Sequence, residues 1–135
     1  MRALSIRAPW WWYILHAGKD IENRDWPTGV RGRILIHAGK WWDKQEVFWD
    51  VEDAQFRASV NSSNPAEWPD LTAMKLAGGC LVGSVEIVDC ITKSDSLWFE
   101  GEYGFTLCDP IVFCNPVPLK GALGFFQVPD SIELK

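Results

Sequence analysis

The chain has 135 residues, with 47% apolar and 23% charged side chains, the size and balance of one globular domain that needs neither disulfides nor a metal to build its core. Its formal net charge of −5 argues against a general coat for duplex DNA, which draws on cations that neutralise phosphates. A local basic cleft stays open to it, because the field near a site follows where charges sit and not their sum.

Residues 3–7 alternate apolar and polar, which predicts a short strand. In residues 8–18, Pro9 suits the first turn of a helix and Gly18 the position just past its end, so about three turns of helix are expected between them. Residues 19–25 form a second extended segment with Ile21 inward, and Trp26-Pro27-Thr28-Gly29 is a turn by composition. Residues 32–38 are a strong strand. Between 42 and 60, Val47, Val51, Ala54 and Ala58 recur at helical spacing. Residues 61–69 read as a loop and 71–77 as a helical turn. The second half is β-rich. Residues 79–91 make a long strand in which Gly83 permits a bend or bulge. Residues 103–107 and 110–113 make one or two more. Asn115-Pro116-Val117-Pro118 is expected to stop pairing, because proline cannot donate to a ladder. Residues 123–128 close the set. Strands punctuated by Gly and Pro, with two or three helices, predict an α+β fold: a small, partly open barrel with helices packed outside it.

Cys80, Cys90, Cys108 and Cys114 form no C-x-x-C pair and have no histidine at finger spacing, so no metal is expected. Most lie in apolar, strand-like runs and read as free thiols in a reducing cytoplasm. No apolar run reaches membrane-spanning length, and the N-terminus lacks a signal-peptide pattern. Nine tryptophans stand out. Each has a large ring and an N–H that needs a partner, which favours half-buried positions and binding surfaces.

The string Gly18-Lys19-Asp20-Ile21-Glu22-Asn23-Arg24 is similar to the ASCH signature, G-K-x-x-E-x-R. Other pieces fall in the family's order. They are Ser5-Ile6-Arg7-Ala8-Pro9-Trp10, Arg31-Gly32 with Ile36-His37-Ala38, residues 83–89, Tyr103-Gly104-Phe105 and Lys120-Gly121-Ala122-Leu123-Gly124. Their order and spacing carry the match more than any one piece, and the whole chain, 1–135, resembles a single ASCH domain. The resemblance implies a small PUA-like β-barrel with a cleft between the first helix and the barrel, and a role in recognising RNA or nucleotides. It also implies enzymatic alternatives, since the family includes a ribonuclease and small amidohydrolases that cleave the acetyl group from acetylcytidine.

In an extended segment alternate side chains share a face, so Glu22 and Arg24 project together, with Lys19 at the turn before them. A Lys and an Arg around one carboxylate can hold a phosphate, a carboxylate or a nucleobase edge. By itself, such a string is more often a solvated salt-bridge strip on an edge strand. The family layout adds Ser5, Arg7, Pro9 and Trp10 to the same cleft. Arg7 would supply planar cationic recognition and Trp10 a face on which a base stacks. Asn23 and Trp26 would wall the pocket, and Lys120-Gly121 would bring charge and close backbone approach. Trp10, Trp11, Trp12 and Tyr13 cover a full helical turn, so at least one is expected to be exposed or to lie over a cleft. Packing is expected for Trp41, Trp42, Trp49, Trp68 and Trp98. His37 reads as a satisfied core histidine, and His16 lies near a helix end, where cationic groups are favoured.

These residues predict first a binding module: a cationic and aromatic cleft for single-stranded RNA or a nucleotide or modified nucleoside, without a cofactor. A hydrolase acting on an acylated nucleoside or on RNA is the second reading, with Lys19, Glu22 and Arg24 as its catalytic set. The resemblance puts Lys19 at the lysine that family amidohydrolases use to activate a nucleophile. Glu22, however, stands where their nucleophilic Thr should be, and a carboxylate cannot play a hydroxyl's part. Glu22 as general base on a water, with Lys19 or Arg24 stabilising the oxyanion, is the mechanism these residues allow. A third reading is a protein-interaction adaptor, since ASCH domains also occur in a transcriptional coactivator. A monomer or weak dimer is expected.

Overall fold

Strand β1 (Arg2–Ile6) buries side chains on both faces, with Ala3 turned to one side and Leu4 and Ile6 to the other. The chain continues through α1 (Trp10–His16), β2 (Ile21–Arg24), β3 (Gly32–Ala38), α2 (Lys44–Ser59), α3 (Leu71–Leu76), β4 (Cys80–Ile91), β5 (Tyr103–Pro118) and β6 (Phe125–Gln127). This computed structural model describes residues 1–60 and 67–132. The six strands form one sheet in the order β2-β5-β4-β3-β1-β6. β1 and β3 run parallel, with Leu4 opposite Ile36, and every other pair is antiparallel. The sheet curls into a half-barrel, the α+β architecture expected of a PUA-like fold.

The period of two in the central strands separates two apolar clusters. Leu4, Ile34, Ile36 and Val82 face the main core, which α1, α2 and α3 cover with Ile14, Leu15, Val47, Val51 and Met74. Ala3, Leu35 and Leu81 face a smaller cluster completed by Val128, Phe113, Val117 and Phe126. Two-sided burial explains why β3 reads as a continuous apolar run. Gly83 lets α1 approach β4. A Cβ there would lie 2.8 Å from Leu15 Cδ2 and 2.4 Å from the Ile111 carbonyl oxygen. Register shifts on either side of Gly83 bend the ladder as expected.

The seam between the two edge strands is closed by side chains. Phe105 of β5 and Phe125 of β6 stack with centroids 6.2 Å apart, and Trp26 meets both edge-on. Arg24 Nη2 on β2 donates to the Ser5 carbonyl on β1 at 2.9 Å.

Several elements differ from expectation. Helix α1 has seven residues, fewer than the expected three turns, with Pro9 at its N-cap and not inside it. Tyr13 is fully buried and Trp11 nearly so, Trp11 Nε1 having no hydrogen-bond partner among the described residues, while Trp10 and Trp12 stay half-buried. Helix α2 starts later than expected because Asp43 caps it, accepting from the Glu46 amide at 2.9 Å. Such a cap is worth about 1 kcal/mol. Asp70 caps α3 the same way, accepting from the Thr72 and Ala73 amides. The expected stop at Asn115–Pro118 does not occur. β5 runs on to pair Val117 with Leu81 and Pro118 with Cys80. β2 pairs β5 through residues 103–106, so farther along one side of β5 is a free edge among the described residues. A proline there forfeits no ladder bond. Residues 61–66 of the expected loop lie outside the described residues. All four cysteines are free, but Cys108 and Cys114 are exposed on β5 and not buried in apolar runs. Among the described residues no helix is long and apolar enough to cross a membrane.

Candidate functional site at the barrel seam

The end of α1 sets the site. Gly18, at φ +74, reverses the chain, and the Lys19 amide returns to the Tyr13 carbonyl at 3.0 Å. That turn tucks the Lys19 side chain beneath the helix, where it is 4% exposed. Lys19 Nζ donates to the Ile21 carbonyl and lies 3.6 Å from Glu22 Oε1 and 5.8 Å over the Trp10 ring. The second oxygen of Glu22, Oε2, accepts from Arg24 Nε at 3.0 Å and Nη2 at 2.9 Å. One buried carboxylate therefore serves two cations. Burial pushes the Lys19 pKa down, and the charge and hydrogen bond of Glu22 pull it partly back.

Asn23 lies between Glu22 and Arg24, and both ends of its amide are engaged. Nδ2 donates to the Trp98 carbonyl and Oδ1 accepts from the Glu100 amide, both at 2.8 Å. This brings the segment before β5 onto the site. Helix α2 supplies the opposite wall. Arg7 Nη2 is 3.5 Å from Asp50 Oδ2, and the Arg7 guanidinium lies 4.1 Å over the Trp41 ring. Burial pushes the Asp50 carboxyl up, and Arg7 pulls it down. Arg57 pairs with Asp53 at 3.0 Å and Glu100 at 2.6 Å and donates to the Leu97 carbonyl.

These residues enclose a cavity of about 320 Å³ lined by Arg7, Trp10, Lys19, Glu22, Asn23, Asp50, Arg57, Trp98 and Glu100. A second recess of about 420 Å³, containing Ser5, Arg24 and Trp26, shares Arg7, Trp10, Glu22 and Asn23 with it. The two form one seam cleft that brings together eight of the residues singled out in the sequence: Ser5, Arg7, Trp10, Lys19, Glu22, Asn23, Arg24 and Trp26. Its charge is mixed and not simply cationic, since the inner cavity carries three cations and three carboxylates. Pro9 is buried at the N-cap of α1 and lines neither recess. Lys120 and Gly121 line a different cavity, of about 790 Å³, that shares only Ser5 with the cleft.

Sequence reasoning passed over Asp50, Arg57, Trp98 and Glu100. For α2 a signal existed. Asp50 and Arg57 fall in phase with the buried stripe Val47, Val51 and Ala54, three residues from its members, where a solvated face would not put them. Trp98 is both core and cavity wall.

His37 is buried as expected. Its Nε2 lies 2.7 Å from the Leu119 carbonyl, which only accepts, so Nε2 carries a hydrogen. Its Nδ1 lies 3.0 Å from Ser5 Oγ. His16 stacks on Trp12, and partial burial pushes its pKa down, against the cationic role a helix end would favour. Among the described residues one group, Glu86, Cys108 and Asp109, brings its ligand atoms within 4.8 Å of one another. Local desolvation and the Asp109 carboxylate push the Cys108 thiol up.

The chain matches the family model described as the ASCH domain over residues 4–109. It is 29% identical over 138 residues to human "Activating signal cointegrator 1" and 32% identical over 139 residues to the protein of that name from Mus musculus. Each match covers 96% of this chain and 22% of the relative. The chain therefore spans about a fifth of the length of the curated relatives it matches.

Proposed function

This chain belongs to the ASCH domain family, and we propose that its seam cleft binds a nucleobase, carried by single-stranded RNA or by a nucleotide or modified nucleoside. The observation that carries this reading is a half-buried aromatic face, Trp10, set beside the Lys19, Glu22 and Arg24 cluster at an inner cavity whose three cations and three carboxylates balance. A base is flat, carries no net charge and is edged with donors and acceptors. Trp10 offers the stacking face, Glu22 an acceptor for an exocyclic amine, and Arg7 a planar donor at the mouth. A free polyphosphate fits the inner cavity poorly, because it would meet the carboxylates of Glu22, Asp50 and Glu100.

Calorimetric titration of cytidine, acetylcytidine and a mixed-sequence RNA octamer into wild type and Trp10→Ala tests the reading. Stacking on one aromatic is worth about 1–3 kcal/mol per base, and Trp10→Ala should lose that much. Equal binding by both proteins, or none by wild type, refutes it.

One observation favours the hydrolytic alternative. Lys19 is desolvated inside a cleft with its pKa pushed down, the condition under which a lysine can activate a nucleophile. Lys19 is nonetheless engaged by Glu22 and the Ile21 carbonyl, so turnover would require a substrate that displaces one of them. Release of cytidine from acetylcytidine, or of fragments from the octamer, abolished by Glu22→Gln, would establish it.

A further inference from the structure

The cavity on the far side of Ser5 is electrostatically unlike the seam cleft, and we propose that it is a phosphate subsite for a nucleic-acid strand whose base occupies that cleft. This rests on the base-binding reading above and extends it from a nucleoside to a strand. Two cations line the cavity, Lys40 and Lys120, and among the described residues no carboxylate does. Both lysines are exposed, and neither makes an ion pair or hydrogen bond among the described residues. In the seam cleft, by contrast, Arg7, Lys19, Arg24 and Arg57 are each paired with a carboxylate. In a chain of net charge −5, two uncompensated cations over one cavity make a local positive field.

The backbone adds donors. The amides of Lys120, Gly121 and Ala122 lie outside any strand and bond to nothing else among the described residues, which leaves them free for an anionic oxygen. The wall is also held in place. Through Leu119 and Ser5, the His37 ring ties the 119–121 loop to β1. Gly121 packs so closely on that ring that a Cβ would lie 2.7 Å from His37 Cε1. A neutral, apolar ligand would explain the shape of this cavity but not its two unpaired lysines.

Continuity supplies the strand. Ser5 lines both cavities; its carbonyl accepts from Arg24 on the cleft side, and its hydroxyl meets His37 on the lysine side. A ligand that leaves the cleft across Ser5 enters the lysine cavity. A nucleoside has nothing to place there, whereas a strand has its next phosphate. The fully exposed Leu123 at the rim offers apolar contact to the sugar.

The test compares cytidine and a mixed-sequence RNA octamer on wild type, on the double variant Lys40→Ala/Lys120→Ala and on Trp10→Ala, across salt concentrations. Each phosphate contact on a single strand contributes about 0.7 to the slope of log affinity against log salt, so the double variant should show a slope shallower by about 1.4. Between about 50 and 200 mM salt, wild type should lose roughly sevenfold more affinity for the octamer than the variant does. Cytidine should bind both alike and more weakly than the octamer. The same slope in wild type and double variant, or an octamer bound no tighter than cytidine, overturns the phosphate subsite and leaves base binding standing. Octamer binding that depends on the lysines but ignores Trp10→Ala overturns base binding and keeps the subsite. No binding of either ligand overturns both.

Discussion

The two cavities on either side of Ser5 use cations in opposite ways. In the seam cleft Lys19 and Arg24 converge on one carboxylate, with Lys19 and Glu22 almost wholly buried. In the lysine cavity Lys40 and Lys120 stand in solvent without partners among the described residues. Burial forces the difference, because a charge removed from water must be paired or neutralised. The cleft's charges are therefore bound up in the fold and shape a site whose net field is small. The lysine cavity's charges contribute little to the fold and remain available to an anion.

The largest predicted effect follows directly. Glu22→Ala leaves Lys19 buried without its carboxylate and releases Arg24, which should cost about 3–5 kcal/mol. Lys40→Ala/Lys120→Ala should stay within about 0.5 kcal/mol of wild type. Urea unfolding of the three proteins measures both. A loss below about 1 kcal/mol for Glu22→Ala would mean that the cleft's charges are as solvated as the lysines, and the contrast would fail.

pH separates the regions next. Tyr13 lies beneath the cleft, its hydroxyl donating to Gln55 Oε1 at 2.7 Å, and burial pushes its pKa up to about 12. From about pH 10 to 12 the unfolded chain gives up the phenolic proton while the folded chain keeps it, so stability falls as pH rises, by roughly 2–3 kcal/mol in all. Lys19 acts in the opposite sense below that window. With its folded pKa depressed, the unfolded chain binds more protons as pH approaches the ordinary lysine value, and stability rises. Chemical unfolding followed from pH 8 to 12 should pass through a maximum near pH 10. Tyr13→Phe should flatten the descending limb, and the double lysine variant should keep it.

A smaller effect is expected at the wall the cavities share. Gly121→Ala puts a methyl against the His37 ring, which is held on both sides by Ser5 and Leu119. Overpacking of this kind costs about 1–3 kcal/mol. The displaced loop carries Lys120, so the octamer's salt slope should become shallower as well, while cytidine binding holds. A loss of cytidine affinity equal to that of the octamer would show that the two cavities are one site.

This contrast was only half legible in the sequence. The string Gly18 to Arg24 declared the cleft because its members are neighbours in the chain and two of them share a strand face. β3 and the stripe of α2 were legible because burial imposes a period that residue type records. The continuation of β5 through Pro116 and Pro118 was not. Whether a proline interrupts a ladder depends on which side of the strand has a neighbour, and β2 decides that from more than 90 residues away. The separation of Lys120 from Lys19 was hidden for a related reason. Motif order says which pieces are present, but not on which side of Ser5 a loop comes to rest. Asn23 joins Glu100 across 77 positions, and nothing local in either residue announces that partner.

A last substitution asks whether the cleft can be made to behave like the lysine cavity. Asp50→Asn removes the carboxylate that faces Arg7. The pair is 3.5 Å apart and half open to solvent on the arginine side, so its loss should cost less than about 1 kcal/mol. The cleft then holds one more uncompensated cation. If the strand's phosphates pass near Arg7 on their way across Ser5, the octamer's salt slope should steepen by about 0.7. If Arg7 meets only the base, the slope stays where it was and cytidine affinity moves instead. Either result fixes which part of the ligand lies at the mouth of the cleft. A slope and an affinity both unmoved would place Arg7 outside the binding path and confine recognition to Trp10 and the buried cluster behind it.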